Sequence, residues 1–189
     1  MTDAATPTIG ITINHRRLEL VVGDITTQAV DAIVNAANAA LRGGGGVDGA
    51  IHTAAGPSVL DELRSRYPSG TPTGTAVATT AGRLKARWLI HAVGPVWRGG
   101  GQGEAQLLAG AYRSSLRVAD QLGARTVALP AISLGIYRFP LRAGARIALD
   151  AVLHQLGGET SLELVGLVLY SDETFSAFSA ALDELAPPA

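Results

Sequence analysis

The spacing of hydrophobic and polar positions changes several times along this chain, and the changes mark its elements. Ile9, Ile11 and Ile13 alternate with Gly10, Thr12 and Asn14, a period of two that suits a strand with one face buried. His15-Arg16-Arg17 is then expected to be a turn, Leu18 to Val22 a second strand breaking at Gly23-Asp24, and Val30 to Val34 a third, buried strand. From Val47 to about Arg66 the spacing is helical, interrupted at Gly56-Pro57, where the proline can open a second helix. Tyr67 to Gly74 reads as a loop, and Ala76 to Thr80 and Arg87 to Val93 as strands around a turn at Gly82. Leu108, Ala111, Tyr112, Ser115, Ala119 and Leu122 share one helical face. Thr126 to Leu129 is a short strand closed by Pro130, Leu141 to Leu156 a helix, Leu162 to Tyr170 a strand and Phe175 to Leu185 a last helix.

This alternation of strand and helix implies an α/β fold with a largely parallel sheet covered on both faces. Ligands in such sheets bind at the carboxyl ends of the strands. Three unusual stretches fall at those ends: Gly23-Asp24, the Asn/Gly-rich stretch after the third strand, and a glycine-containing loop from Ser133 to Arg138. They are expected to converge on one crevice.

Composition narrows the picture. A chain of 189 residues with 47% hydrophobic and 16% charged residues can bury a core without cross-links and is unlike a disordered segment. One domain is expected over 9–186 behind a tail of 1–8, since Gly99 to Gly103 has the length of an ordinary connection. There is no apolar run of about 18 residues, and Met1 to Pro7 lacks the basic and apolar regions of a signal peptide. The expectation is a cytoplasmic protein with no membrane partner. The absence of cysteine removes disulfides, thiolate nucleophiles and Cys-based zinc sites together. A formal net charge of −1 gives no support for direct nucleic-acid binding. The four histidines show no H-E-x-x-H spacing, so no catalytic metal is expected, and Lys85, the only lysine, stands away from the glycine stretch, which disfavours a Schiff base.

The chemistry concentrates between Val34 and Gly56. Asn35 and Asn38 precede four consecutive glycines, Gly43, Gly44, Gly45 and Gly46, and Asp48 stands four residues before His52. Glycines here let the backbone approach a ligand, and successive N–H groups at a helix N-terminus attract an anion. Gly44, Gly46 and Gly49 match G-x-G-x-x-G, but Asn35 to Arg42 separate them from the strand and no acidic strand end follows at the dinucleotide-fold distance. No lysine follows the glycines, which excludes a P-loop. At i and i+4, Asp48 and His52 share a helix face; Asp48 either caps the helix or orients and deprotonates a water. Asp24 either caps a short helix through its carboxylate or accepts from an amine on a bound base. His91, within the apolar run Trp88 to Val93, reads as a hydrogen-bonded core histidine.

Taken together, G-D-I-T at Gly23 to Thr26, V-D-A-I-V-N-A-A-N at Val30 to Asn38, G-G-G-G-V-D-G-A-I-H at Gly43 to His52, I-H-A-V-G-P at Ile90 to Pro95 and I-S-L-G-I-Y-R-F-P at Ile132 to Pro140 resemble the macrodomain family. The likeness is nearest to the MacroD-type subgroup. It implies a three-layer α/β/α sandwich with a mixed, largely parallel central sheet. It further implies a metal-independent, cofactor-free hydrolase that removes mono-ADP-ribose from acidic side chains of proteins and deacetylates O-acetyl-ADP-ribose. The alternatives within the family are a reader that binds ADP-ribose without turnover and an ADP-ribose 1″-phosphatase. ADP-ribose, O-acetyl-ADP-ribose and mono-ADP-ribosylated proteins are the implied partners.

By the same resemblance, Asp24 accepts from the adenine amine beside Ile25, and Tyr170 packs on adenine. Gly43, Gly44, Gly45, Gly46 and Val47 wrap the distal ribose. Ser133, Leu134, Gly135, Ile136 and Tyr137 bind the pyrophosphate through backbone N–H groups. Asn38 holds a ribose hydroxyl and Asp48 orients the water, with Asn35 and His52 supporting them. Leu134 stands where the family usually has threonine, Thr53 where arginine is frequent, and Arg138 where glycine is common, adding a positive charge beside the phosphate loop.

Overall fold

A computed structural model describes residues 8–186. In chain order the strands are β1 (Thr8–Ile13), β2 (Arg16–Val22), β3 (Ala32–Ala37), β4 (Ala76–Thr80), β5 (Trp88–Val93), β6 (Thr126–Leu129) and β7 (Leu164–Leu169). The helices are α1 (Gly46–Ala55), α2 (Ser58–Arg66), α3 (Glu104–Gln121), α4 (Leu141–Gly157) and α5 (Asp172–Leu185), with a 3-10 turn at Ile25–Thr27. The seven strands form one sheet in the order β1-β2-β7-β6-β3-β5-β4. β2, β7, β6, β3 and β5 run parallel to their neighbours, and the antiparallel pairs β1/β2 and β4/β5 close the two edges. This is the mixed, largely parallel sheet expected of the sequence.

Strand alternation builds the three layers. Ala32 and Val34 of β3 join the core beneath α3, α4 and α5, which includes Leu108, Leu149 and Phe178. Ile33 and Ala37 face the opposite core, with Ile51 of α1 and Val59 and Leu63 of α2. Asn35 shares that second face, so its amide is carried into the layer between the sheet and α1. α1 ends at Gly56, whose φ of +85° favours glycine and whose N–H donates to the His52 carbonyl at 3.0 Å.

Two expected boundaries are corrected. The first turn is Asn14-His15, with φ of +48° and +69°, a two-residue hairpin of the kind that matches strand twist. Arg16 and Arg17 belong to β2, opposite Ile13 and Thr12. The Arg16 guanidinium donates to the carbonyls of Leu156, Gly158 and Thr160, tying the hairpin to the end of α4. β3 begins after Asp31, whose carboxylate accepts from the N–H groups of Arg125 and Thr126, and extends to Ala37, making Asn35 a strand residue. Thr8 of the expected tail lies in β1; residues 1–7 and the Pro187-Pro188 end fall outside the described residues. Among the described residues no helix is long and apolar enough to cross a membrane.

Candidate active site

The carboxyl ends of β2, β3, β6 and β7 open into a cleft of about 700 Å³, a size suited to a small ligand. The three stretches singled out in the sequence all reach it: Gly23-Asp24 with Ile25, Gly44 to Asp48, and Ser133 to Tyr137. Tyr170, just beyond β7, stands at its rim and is 89% exposed.

Asp24 caps the 3-10 turn through one oxygen only. Its Oδ1 accepts from the Thr26 N–H at 2.8 Å and the Thr26 hydroxyl at 2.7 Å, while Oδ2 has no protein partner among the described residues. Capping and ligand binding are therefore compatible.

The glycine run is held from behind by Asn38, whose amide donates to the Gly43 carbonyl at 2.7 Å. One amide proton of Asn38 stays available to the cleft it lines. Gly43, with φ of +79°, is the turn itself and does not line the cleft. Gly49 must also be glycine: a Cβ there would stand 2.7 Å from the Gly44 carbonyl oxygen. α1 is preceded by Gly45 and has no side-chain cap, so its first N–H groups lack a side-chain acceptor where Gly45, Gly46 and Val47 line the cleft.

Asp48 is 5% exposed and lines the cleft. Its Oδ1 accepts a 2.6 Å hydrogen bond from the Asn35 amide and lies 3.3 Å from His52 Nε2. Its Oδ2 is buried without a protein partner, and although Asp48 stands in the first turn of α1 it makes no capping hydrogen bond there. Asn35 and His52 stand behind Asp48 rather than on the cleft wall. His91 is fully buried, between Asn35 and Thr79, with Asn35 Nδ2 3.3 Å from its Nδ1 and Thr79 Oγ1 3.0 Å from its Nε2. Burial, reinforced by the neighbouring His52, pushes its pKa down to about 3.

The second loop presents free donors. The N–H groups of Ser133, Gly135, Ile136 and Tyr137 have no protein acceptor among the described residues, and the Ser133 hydroxyl is buried without a partner. Such a concavity of peptide N–H groups binds anions. Among the residues lining the cleft there is no lysine or arginine. Arg138, φ +55°, is exposed and does not line the cleft. Leu134 packs on α4 at Gly144, where a Cβ would stand 2.6 Å from Leu134 Cδ1. Burial, followed by the charge of Asp48, raises the pKa of the Tyr137 phenol.

The loop from Trp97 to Gly103 steadies this second loop. Glu104 accepts from the N–H groups of Arg98, Gly100 and Gln102, and these bonds, with that of its own amide, lower its pKa. Trp97 in turn donates to the Tyr137 carbonyl at 2.9 Å and packs edge-on against Phe139.

Sequence reasoning missed Gly94 and the Ser171–Thr174 pair as cleft residues. A Cβ at Gly94 would lie 2.2 Å from Ser133 Oγ. Its signal was the glycine in I-H-A-V-G-P, as the capping Ser171 after β7 was for the other pair. Among the described residues no group of three His, Asp or Glu side chains comes together to hold a metal ion.

With this geometry established, the chain matches the macro domain family over residues 34–148. It is 48% identical over 172 residues to a Citrobacter rodentium protein named O-acetyl-ADP-ribose deacetylase, covering 90% of this chain and 97% of that one. It resembles the solved Oceanobacillus iheyensis macrodomain with ADP at a TM-score of 0.91 and 38% identity, covering 96% of this chain and 98% of that one. The Trypanosoma brucei macrodomain in complex with ADP-ribose gives a TM-score of 0.79 and 36% identity, with 87% and 68% of the two chains covered.

Proposed function

The chain belongs to the macrodomain family, and from that premise we propose that it binds ADP-ribose and hydrolyses ester bonds at the distal ribose. Its substrates are O-acetyl-ADP-ribose and mono-ADP-ribose linked to acidic side chains of proteins. The observation that carries this reading is Asp48: a buried carboxylate at the cleft wall with one oxygen held by Asn35 and the other without a protein partner.

In this reading adenine lies at Asp24 Oδ2 and the Ile25 N–H, with Tyr170 against its face. The pyrophosphate sits on the N–H groups of Ser133, Gly135, Ile136 and Tyr137 and on the start of α1, where peptide dipoles supply the positive potential. The distal ribose then falls between Asn38, the glycine run and Asp48. Asn38 uses its remaining amide proton on a ribose hydroxyl. Asp48 Oδ2 accepts from a water and takes its proton as that water adds to the ester carbonyl. The tetrahedral adduct then collapses, breaking the bond from the carbonyl carbon to the ribose oxygen, which leaves with the proton returned by Asp48. Fixing the carboxylate before the reaction avoids reorganisation during it, and general-base help of this kind is worth about 10²–10⁴-fold.

The test is release of acetate from O-acetyl-ADP-ribose, and of ADP-ribose from a glutamate-linked mono-ADP-ribosylated protein, by the wild type and Asp48→Ala. Release by the wild type and its loss in the variant are expected. Release retained in the variant would remove Asp48 from the chemistry. Tight ADP-ribose binding with no release by the wild type would make the protein a reader.

A further inference from the structure

Behind Asp48 a line of hydrogen bonds runs across the sheet and away from the cleft. It starts at the carbonyl of Thr80, which can only accept, and the Thr79 hydroxyl donates to it at 2.9 Å. With its proton so committed, Thr79 Oγ1 is an acceptor for His91 Nε2 at 3.0 Å. The proton of the neutral imidazole therefore lies on Nε2 and Nδ1 is bare. Asn35 Nδ2, 3.3 Å from that Nδ1, donates to it with one proton and to Asp48 Oδ1, at 2.6 Å, with the other. Both ends of the line, the Thr80 carbonyl and the Asp48 carboxylate, can only accept, and this assignment gives every bond between them one donor.

We infer that Thr79 and His91 are positioning residues for the Asp48 carboxylate, acting as a buried relay that fixes which end of the Asn35 amide faces it. The inference rests on the hydrolase reading above. An apolar side chain at position 91 would fill the same space without the cost of burying an imidazole. A flipped Asn35 would set its carbonyl oxygen against the carboxylate and its amine away from it. The structure accepts one orphaned atom, Asn35 Oδ1, which is buried without a partner, in exchange for satisfying both neighbours. The groups facing His91 are Asp48 and His52 on α1, Glu62 on α2, Asn35 on β3 and Thr79 on β4. His52 lies stacked on His91 with ring centroids 5.8 Å apart.

Thr79 does not line the cleft, so the relay can be altered without touching the ligand. Thr79→Val keeps the shape and removes the acceptor, freeing His91 to protonate Nδ1 and turn the Asn35 carbonyl toward Asp48. In Thr79→Val, kcat is expected to fall about tenfold, the scale of one misplaced buried hydrogen bond, with KM little changed. Thr79→Ser restores kcat. Nitrogen NMR of the histidine ring should show Nε2 protonated in the wild type and Thr79→Ser, and the shift to Nδ1 in Thr79→Val.

A wild-type ring protonated on Nδ1 overturns the relay, as does a folded Thr79→Val with unchanged kcat. If the wild type hydrolyses nothing, it is the proposed function that fails. The wild-type tautomer then decides the relay alone, as it does if Thr79→Val does not fold.

Discussion

Gly44 lies directly over Asp48: a Cβ at position 44 would stand 3.0 Å from Asp48 Oδ2 and 3.6 Å from Asn38 Nδ2. The glycine run thus forms a roof over the free oxygen of the carboxylate that leaves no room for a side chain. Gly44→Ala has no positive φ to strain it, so the fold should survive with Tm changed by only a few degrees. A displaced carboxylate costs a reaction far more than it costs a fold, and kcat for ester hydrolysis is expected to drop at least about tenfold. Thermal unfolding and steady-state kinetics on one preparation check this.

Asp24 offers a cleaner separation of stability from binding. Asp24→Asn can keep the Oδ1 contacts with Thr26 while replacing Oδ2, the acceptor proposed for adenine, by an amine. It should leave Tm nearly unchanged and weaken ADP-ribose binding about tenfold by calorimetry. Asp24→Ala should lose affinity and also about 0.5–2 kcal/mol of stability with its cap. Equal affinities in wild type and Asp24→Asn would move adenine elsewhere.

His91 makes stability depend on pH. Its pKa is about 3 when folded, against 6.5 ordinarily, so below about 6.5 the unfolded chain binds a proton that the folded chain does not. Stability is full above that value and is lost as pH falls, by up to about 1.4 kcal/mol per unit, until the folded pKa is reached. Between pH 6.5 and about 4.5 the carboxylates with lowered pKa, such as Asp31 and Asp120, have not begun to contribute. The urea midpoint should therefore fall over that window in the wild type, and the decline should flatten in His91→Gln.

Arg138 holds a φ of +55°, which costs an L-residue roughly 1–2 kcal/mol and glycine almost nothing. Glycine also adds freedom to the unfolded chain, so Arg138→Gly should gain up to about 1 kcal/mol in chemical denaturation. A loss of stability would mean that the guanidinium makes compensating contacts in solution.

Much of the cleft was legible from punctuation. Glycines and asparagines at the ends of β-patterned runs marked the crevice, because a turn needs fewer glycines than this chain spends there. The i, i+4 spacing of Asp48 and His52 set them on one side of α1. What was not legible depends on strand pairing. Asn35 meets His91 because β3 and β5 are parallel neighbours in that register, 56 residues apart along the chain, and periodicity within a strand says nothing about its neighbour. The first turn was misplaced for a related reason. His15-Arg16-Arg17 read as a turn, whereas Arg16 finds its carbonyl partners only once α4 and the segment after it are in place.

A cleft lined by unpartnered peptide N–H groups and by no lysine or arginine would meet negative charge through the path of its main chain. Losing a cation in such a site is impossible, because there is none to lose, and the identity of side chains such as Leu134 and Ile136 becomes a matter of packing. Recognition of this kind tolerates sequence drift wherever the trace is kept, and fails at positions such as Gly49, where a single methyl group would press on the backbone of Gly44.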